Sequence, residues 1–108
     1  MKNYFKDEDI AFVTVGEGVK RKIKAHNANM MCVEVHFETN SIAPVHTHEH
    51  EQVTYVISGQ FEFDIEGRKT LIGAGDSIYL QANIPHGVVC KSGGIVLDHF
   101  TPMREDFL

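Results

Sequence analysis

The sequence is poor in what several protein classes require. Among its 108 residues there is no tryptophan, with only two cysteines and three prolines. Cys32 and Cys90 have no CxxC or CxxH companion, which excludes a disulfide scaffold and a cysteine-based zinc site. No window holds the roughly 20 apolar residues of a membrane-spanning helix. The opening stretch from Met1 to Phe12 carries Asp7, Glu8 and Asp9 where a secretory signal needs an apolar run. Positive charge is also short: the formal charge is −5, whereas nucleic acid or an anionic membrane calls for a basic face. The expectation is a soluble, cytoplasmic chain in a reducing compartment, with neither nucleic acid nor membrane as partner.

Hydrophobic residues make up 43% of the chain, enough for one domain that buries about 60–70% of its unfolded surface. The dominant period is two. Val33, Val35 and Phe37 alternate with Glu34, His36 and Glu38, and Phe61, Phe63 and Ile65 alternate with Glu62, Asp64 and Glu66. That is the pattern of half-buried strands. Further β-rich runs are Ile10–Val15, Val19–Ala25, Val53–Ile57, Thr70–Ile72, Ile78–Leu80, Gly87–Cys90 and Ile95–Phe100. Between them stand Gly16-Glu17-Gly18, Ser58-Gly59-Gln60, Glu66-Gly67-Arg68, Gly73-Ala74-Gly75-Asp76 and Ser92-Gly93-Gly94, which supply turn conformations. About ten short strands at this spacing indicate an all-β sandwich or barrel.

Against this background the seven histidines stand out, with His46, His48 and His50 close together. His46 and His48 are two apart, so on a strand both imidazoles leave one face and can reach one divalent cation. His50 and Gln52 share their parity, but a straight strand would put His46 and Gln52 about 20 Å apart. The chain must therefore turn between residues 48 and 52. Glu49-His50-Glu51 is the natural turn, which reads His50 as a surface residue, with metal ligation as its second reading, and lets Gln52 open the next strand. A fourth group comes from His86, which follows Pro85 into a new strand. His26, His36 and His99 read as loop or outward-facing residues. The run Val19-Lys20-Arg21-Lys22-Ile23-Lys24 reads as a solvated strand with alternating lysines; a second reading aims Arg21 or Lys24 at an anionic ligand.

The two histidine segments resemble the cupin superfamily, whose first motif is G-x5-H-x-H-x3,4-E-x6-G and whose second is G-x5-P-x-G-x2-H-x3-N. His46, His48, Gln52 and Gly59 match the first; Gly75, Asp76, Pro85 and His86 match the second. Asn40, Gln52, Gln81, Asn83 and Cys90 depart from the pattern. The resemblance implies a jelly-roll β-barrel (a double-stranded β-helix) as a single cupin domain over residues 1–108. Its barrel core would span about 30–100, with N-terminal strands at 10–25 and a tail at 101–108. It also implies one divalent transition metal held by His46, His48, Gln52 and His86, with nickel, zinc, manganese, iron and copper all compatible. A neutral glutamine in place of glutamate leaves the full 2+ charge uncancelled, which favours anionic oxygen ligands and Lewis-acid chemistry.

The tail adds to this. Alternation puts Asp98 and Phe100 on one face, and an acid in an apolar cavity is either paired or functional. Pro102 ends the strand, and Arg104 then has the reach to fold back over the mouth. The pattern D-x-F-T-P-x-R-x-D-F, together with the glutamine in the first motif, resembles small cupins of pectin degradation. Their implied reaction opens the ring of 4,5-unsaturated uronates from pectin or alginate to the linear keto-uronate. On that resemblance Asp98, Phe100 and Arg104 are catalytic-site residues and the partner is a small anionic sugar acid. Arg104 would clamp its carboxylate and Asp98 would move protons. The alternatives are a metal-dependent cupin dioxygenase and a non-catalytic sugar-acid binder. Small cupins often pair N-terminal strands, and the apolar Ile10–Val15 suits a homodimer.

Overall fold

The alternation at residues 33–37 becomes a strand with two unlike faces. Met31, Val33, Val35 and Phe37 are buried, while Cys32, Glu34 and His36 between them face outward. A computed structural model describes residues 1–108 as eight strands and two single-turn 3-10 helices, Asp7–Asp9 and Glu105–Phe107. The strands are β1 (Val13–Gly16), β2 (Val19–Asn27), β3 (Met30–Phe37), β4 (Ile42–His46), β5 (Glu51–Ile65), β6 (Arg68–Gly73), β7 (Ser77–Leu80) and β8 (His86–Thr101). The class is all-β, as the periodicity indicates. No helix is long and apolar enough to cross a membrane.

All pairings are antiparallel, in the order β1-β2-β3-β8-β5-β6, with β4 added to β8 and β7 to β5. The two long strands each serve twice. The second half of β8 lies between β3 (Val35↔Val96) and the first half of β5 (Thr54↔Asp98). Its first half lies between β4 (Ile42↔Val89) and the second half of β5 (Phe63↔Val88). The result is a jelly roll of two facing sheets that share β5 and β8. Val33, Val56, Phe61, Leu80 and Cys90 are fully buried in its core. Each large apolar side chain there contributes about 1.5–3 kcal/mol by leaving water.

Sharing accounts for the main departure from the expected ten short strands. Val53–Ile57 and Phe61–Ile65 are one strand, as are Gly87–Cys90 and Ile95–Phe100. Ser58-Gly59-Gln60 and Ser92-Gly93-Gly94 carry the chain around corners instead of reversing it, and the two corners lie against each other. Gly59 has φ +85°, and a Cβ there would sit 2.5 Å from the Ser92 carbonyl oxygen. A Cβ on Gly94 would sit 2.0 Å from the Ser58 carbonyl oxygen. We expect Gly94→Ala to cost roughly 3 kcal/mol, because both sides of the overlap are backbone and cannot rotate away. In a domain of this size that lowers Tm by about 12–20 °C. Gly73→Ala, whose new Cβ would have its nearest neighbour at 3.7 Å, is the calorimetric control. Equal melting of the two variants would show that the corner tolerates a side chain.

Two further boundaries differ. The N-terminal run Ile10–Val15 gives its first residues to the approach from the Asp7–Asp9 turn, and the strand starts at Val13. β4 had no apolar alternation to announce it, and Pro44 lies inside it. It pairs only with β8, so proline sits on an edge where a missing N–H is tolerated.

Candidate metal centre and cavity

β4 ends and β8 begins at the site. His46 and His86 are register partners, and the segment after β4 carries His48 before the chain bends at Glu49 and His50 into β5. Only His46 of the first pair is on a strand; His48 follows the strand end. The ligand nitrogens of His46, His48 and His86 nonetheless all lie within 4.8 Å of one another.

Each ring is oriented by its own backbone. His46 Nδ1 lies 2.8 Å from the Pro44 carbonyl oxygen, His48 Nδ1 2.9 Å from that of His50, and His86 Nδ1 2.8 Å from that of Ile84. A carbonyl only accepts, so each Nδ1 carries the hydrogen and each neutral ring keeps its Nε2 lone pair for a ligand. Burial holds the His48 pKa below its ordinary value, aided by the positive charge of Arg104. Burial also pushes His86 down to about 4. Both rings are therefore neutral, as metal ligation requires.

The depressed His86 pKa has a consequence for the metal-free protein. Below about pH 6.5 the unfolded chain takes up this proton, while the folded chain resists until about pH 4. Stability is thus full above pH 6.5 and falls as pH drops toward 4, by at most about 3 kcal/mol from this group. His48 acts in the same direction. We expect the urea midpoint of the metal-free protein to fall from pH 7 to pH 5, with a shallower fall in His86→Gln. Identical slopes in the two proteins would dissociate His86 from the effect.

Gln52 faces inward from β5 and is buried. Its Nε2 donates to Thr54 Oγ1 at 2.8 Å and to Asp98 Oδ1 at 3.2 Å, which fixes the amide orientation. Its Oε1 then lies 2.9 Å from His48 Nε2. With His48 Nδ1 holding the hydrogen, two acceptors face each other across that gap. A cation between them turns a repulsion into two ligand bonds. The residues present therefore fit a divalent transition metal, by donor type as well as by position.

Beside this cluster is a cavity of about 510 Å³ with mostly apolar walls, and His46, Gln52, His86, Asp98, Phe100 and Arg104 all line it. Asp98 is partly buried, and burial raises its pKa even though Thr54 and Gln52 donate to it. Both bonds go to Oδ1, with Thr54 Oγ1 at 2.6 Å, which leaves Oδ2 without a protein partner. The Phe100 ring stands edge-on to His48 at 5.7 Å and to Phe107 at 5.7 Å. Arg104 folds back over the cavity, its guanidinium 4.2 Å from the Phe107 centroid and 5.1 Å from that of Phe100. Its fork is bonded to Asp106, Nε to Oδ1 at 3.1 Å and an Nη to Oδ2 at 3.0 Å.

His50 corrects an expectation. The chain does bend there, yet His50 is buried at 9% exposure, packed near His48 and Phe100. β8 brings Phe100 over the bend, and nothing local to residues 48–52 announces that cover. His26, His36 and His99 stay away from the cavity; His26 packs on Phe5 and His36 bonds Glu34 at 2.6 Å. Thr54 belongs to the site although no motif marks it. It is fully buried and joins Gln52 to Asp98, and its parity with Gln52 on β5 was the available signal.

Comparison with known proteins agrees with this geometry. A family model described as a cupin domain matches residues 33–98. The pectin degradation protein KdgF of Dickeya dadantii (strain 3937) is 40% identical over 110 residues, covering all of both chains. Among solved structures, an RmlC-like cupin from Shewanella frigidimarina superposes with TM-score 0.95 at 35% identity, over 100% of this chain and 97% of that one. The structure of KdgF from Halomonas sp. superposes with TM-score 0.94 at 34% identity, over the full length of both.

Proposed function

The chain belongs to the cupin family, and we propose that it opens the ring of 4,5-unsaturated uronates to the linear keto-uronate. The observation that carries this reading is a carboxylate, Asp98, with one free oxygen, lining the same cavity as the histidine cluster. Two relatives named KdgF, one of them called a pectin degradation protein, support the substrate class.

The net reaction is an isomerisation. The bond between C1 and the ring oxygen breaks, the hemiacetal hydroxyl loses its proton to leave an aldehyde, and C4 gains a proton as the enol becomes a ketone. No oxidant, water or covalent nucleophile is consumed. Asp98 Oδ2 is the group that takes and returns the proton, and its raised pKa brings it closer to neutrality for both directions of transfer. Phe100 and the apolar walls exclude water around it. Arg104 places positive charge at the cavity, where the acid group of the substrate must come to rest. His46, His48 and His86, with Gln52 Oε1, would hold the metal, which supplies Lewis-acid stabilisation of negative charge developing on oxygen. The reading includes a homodimer, supported by the exposed outer-face residues Val53, Tyr55, Ile57 and Tyr79.

The test follows the ultraviolet absorbance of an unsaturated uronate monomer freshly made by a lyase. Metal-loaded protein should remove the absorbance faster than buffer and yield the linear ketone. A rate equal to that of buffer at full metal content would reject the reading and turn attention to oxygen uptake.

A further inference from the structure

β2 sorts its cations by parity. Val19, Arg21 and Ile23 are in register with the inward-facing Phe37, Val35 and Val33 of β3, whereas Lys20, Lys22 and Lys24 leave the other face. Lys22 and Lys24 bond the outward Asp7 at 3.0 and 2.7 Å. Arg21 instead lines the cavity together with Asp98, Phe100 and Arg104.

There it has no direct ion pair, and Asp106, held by the fork of Arg104, acts on it only through space. Arg21 makes no side-chain hydrogen bond and no ion pair in the structure, while the fork of Arg104 is already bonded to Asp106. The acids of the cavity lining are Glu17 and Asp98, and neither comes within 4.0 Å of the Arg21 guanidinium. What Arg21 does have is a fixed orientation, since its guanidinium lies 3.6 Å from the centroid of the Phe107 ring that Arg104 also packs on. A half-buried, oriented guanidinium with free donors is a ready partner for a planar carboxylate.

We propose that Arg21 is a carboxylate-binding residue of this cavity, holding the acid group of a uronate alongside Arg104. The proposal rests on the uronate reading above and deepens it: the unengaged fork belongs to β2, not to the tail.

Binding and turnover separate the two. Titration calorimetry on metal-loaded, full-length protein would use D-galacturonate and, as a neutral analogue, D-galactose; neither carries the unsaturation that the reaction needs. We expect wild type to prefer the acid, and Arg21→Gln to lose about 10- to 100-fold in galacturonate affinity with galactose unchanged. Arg21→Lys should restore part of the loss, which guards against a folding defect. Lys20→Gln removes the same charge from the outer face and should change neither ligand. With the unsaturated uronate, Arg21→Gln should raise KM by a similar factor and leave kcat within about threefold. The proposal is overturned if Arg21→Gln binds galacturonate like wild type, if it loses both sugars equally, or if wild type shows no preference for the acid. Acid-selective binding that depends on Arg21, in a protein that does not accelerate ring opening, would reject the reaction and leave the binding role standing.

Discussion

Asp98→Asn is expected to lower kcat for ring opening by about 10²- to 10⁴-fold, the range for removing a positioned general acid or base. The substitution is chosen for what it keeps. An asparagine oxygen in the place of Oδ1 still accepts from Thr54 and Gln52, so the hydrogen bonds at 2.6 and 3.2 Å survive. What disappears is the oxygen with no protein partner, replaced by an amide nitrogen that cannot take a proton at neutral pH. Metal content should match wild type, because the amide of Gln52 stays oriented. Tm should hold or rise, because burial opposes the charge on Asp98 in the native protein. Steady-state kinetics with metal analysis on the same samples decides the matter. Wild-type kcat would remove Asp98 from the chemistry. A loss of kcat in proportion to lost metal would make it a scaffold residue.

What the sequence made legible follows from the range of the interactions involved. Alternation is local, so the inward set Val33, Val35 and Phe37 and the shared face of Asp98 and Phe100 are visible without a structure. The histidine spacing is local as well, and it marks the cluster now found within 4.8 Å. Glycine-rich corners are ambiguous, because Ser58-Gly59-Gln60 has the composition of a hairpin turn. Only the close approach of Gly94, across the fold, makes it a bend within one strand. His50 is hidden for the same reason: its cover comes from Phe100, fifty residues later in the chain. Arg21 is intermediate. Parity separates it from Lys20, Lys22 and Lys24, but the sequence does not show that Lys22 and Lys24 have an acid to pair with and Arg21 does not.

Thr54→Val is the second change with a large expected effect, although Thr54 touches neither the histidines nor the free oxygen of Asp98. Valine has nearly the same shape, so the fully buried site stays filled, and what is lost is one hydroxyl with two bonds. Gln52 Nε2 would keep only its 3.2 Å contact with Asp98, and Asp98 Oδ1 would lose the shorter of its two donors. Only that longer contact then favours the amide orientation that points Oε1 at His48. We expect metal affinity, measured by competition with a chelator, to fall about 10- to 100-fold, the usual range for a residue that orients a ligand. Stability of the metal-free protein should fall by about 1–3 kcal/mol, because buried polar groups lose a partner. Thr54→Ser keeps the hydroxyl and should recover most of the metal affinity, which a purely steric role for Thr54 would not allow. The cycle of Thr54→Val with Asp98→Ala, which removes the acceptor that asparagine keeps, measures the coupling on metal affinity. If the hydroxyl acts by holding both Gln52 and Asp98, the double variant binds metal more tightly than the sum of the single losses implies. Strict additivity would mean that Thr54 and Asp98 orient Gln52 independently, and wild-type metal affinity in Thr54→Val would leave that task to Asp98 alone.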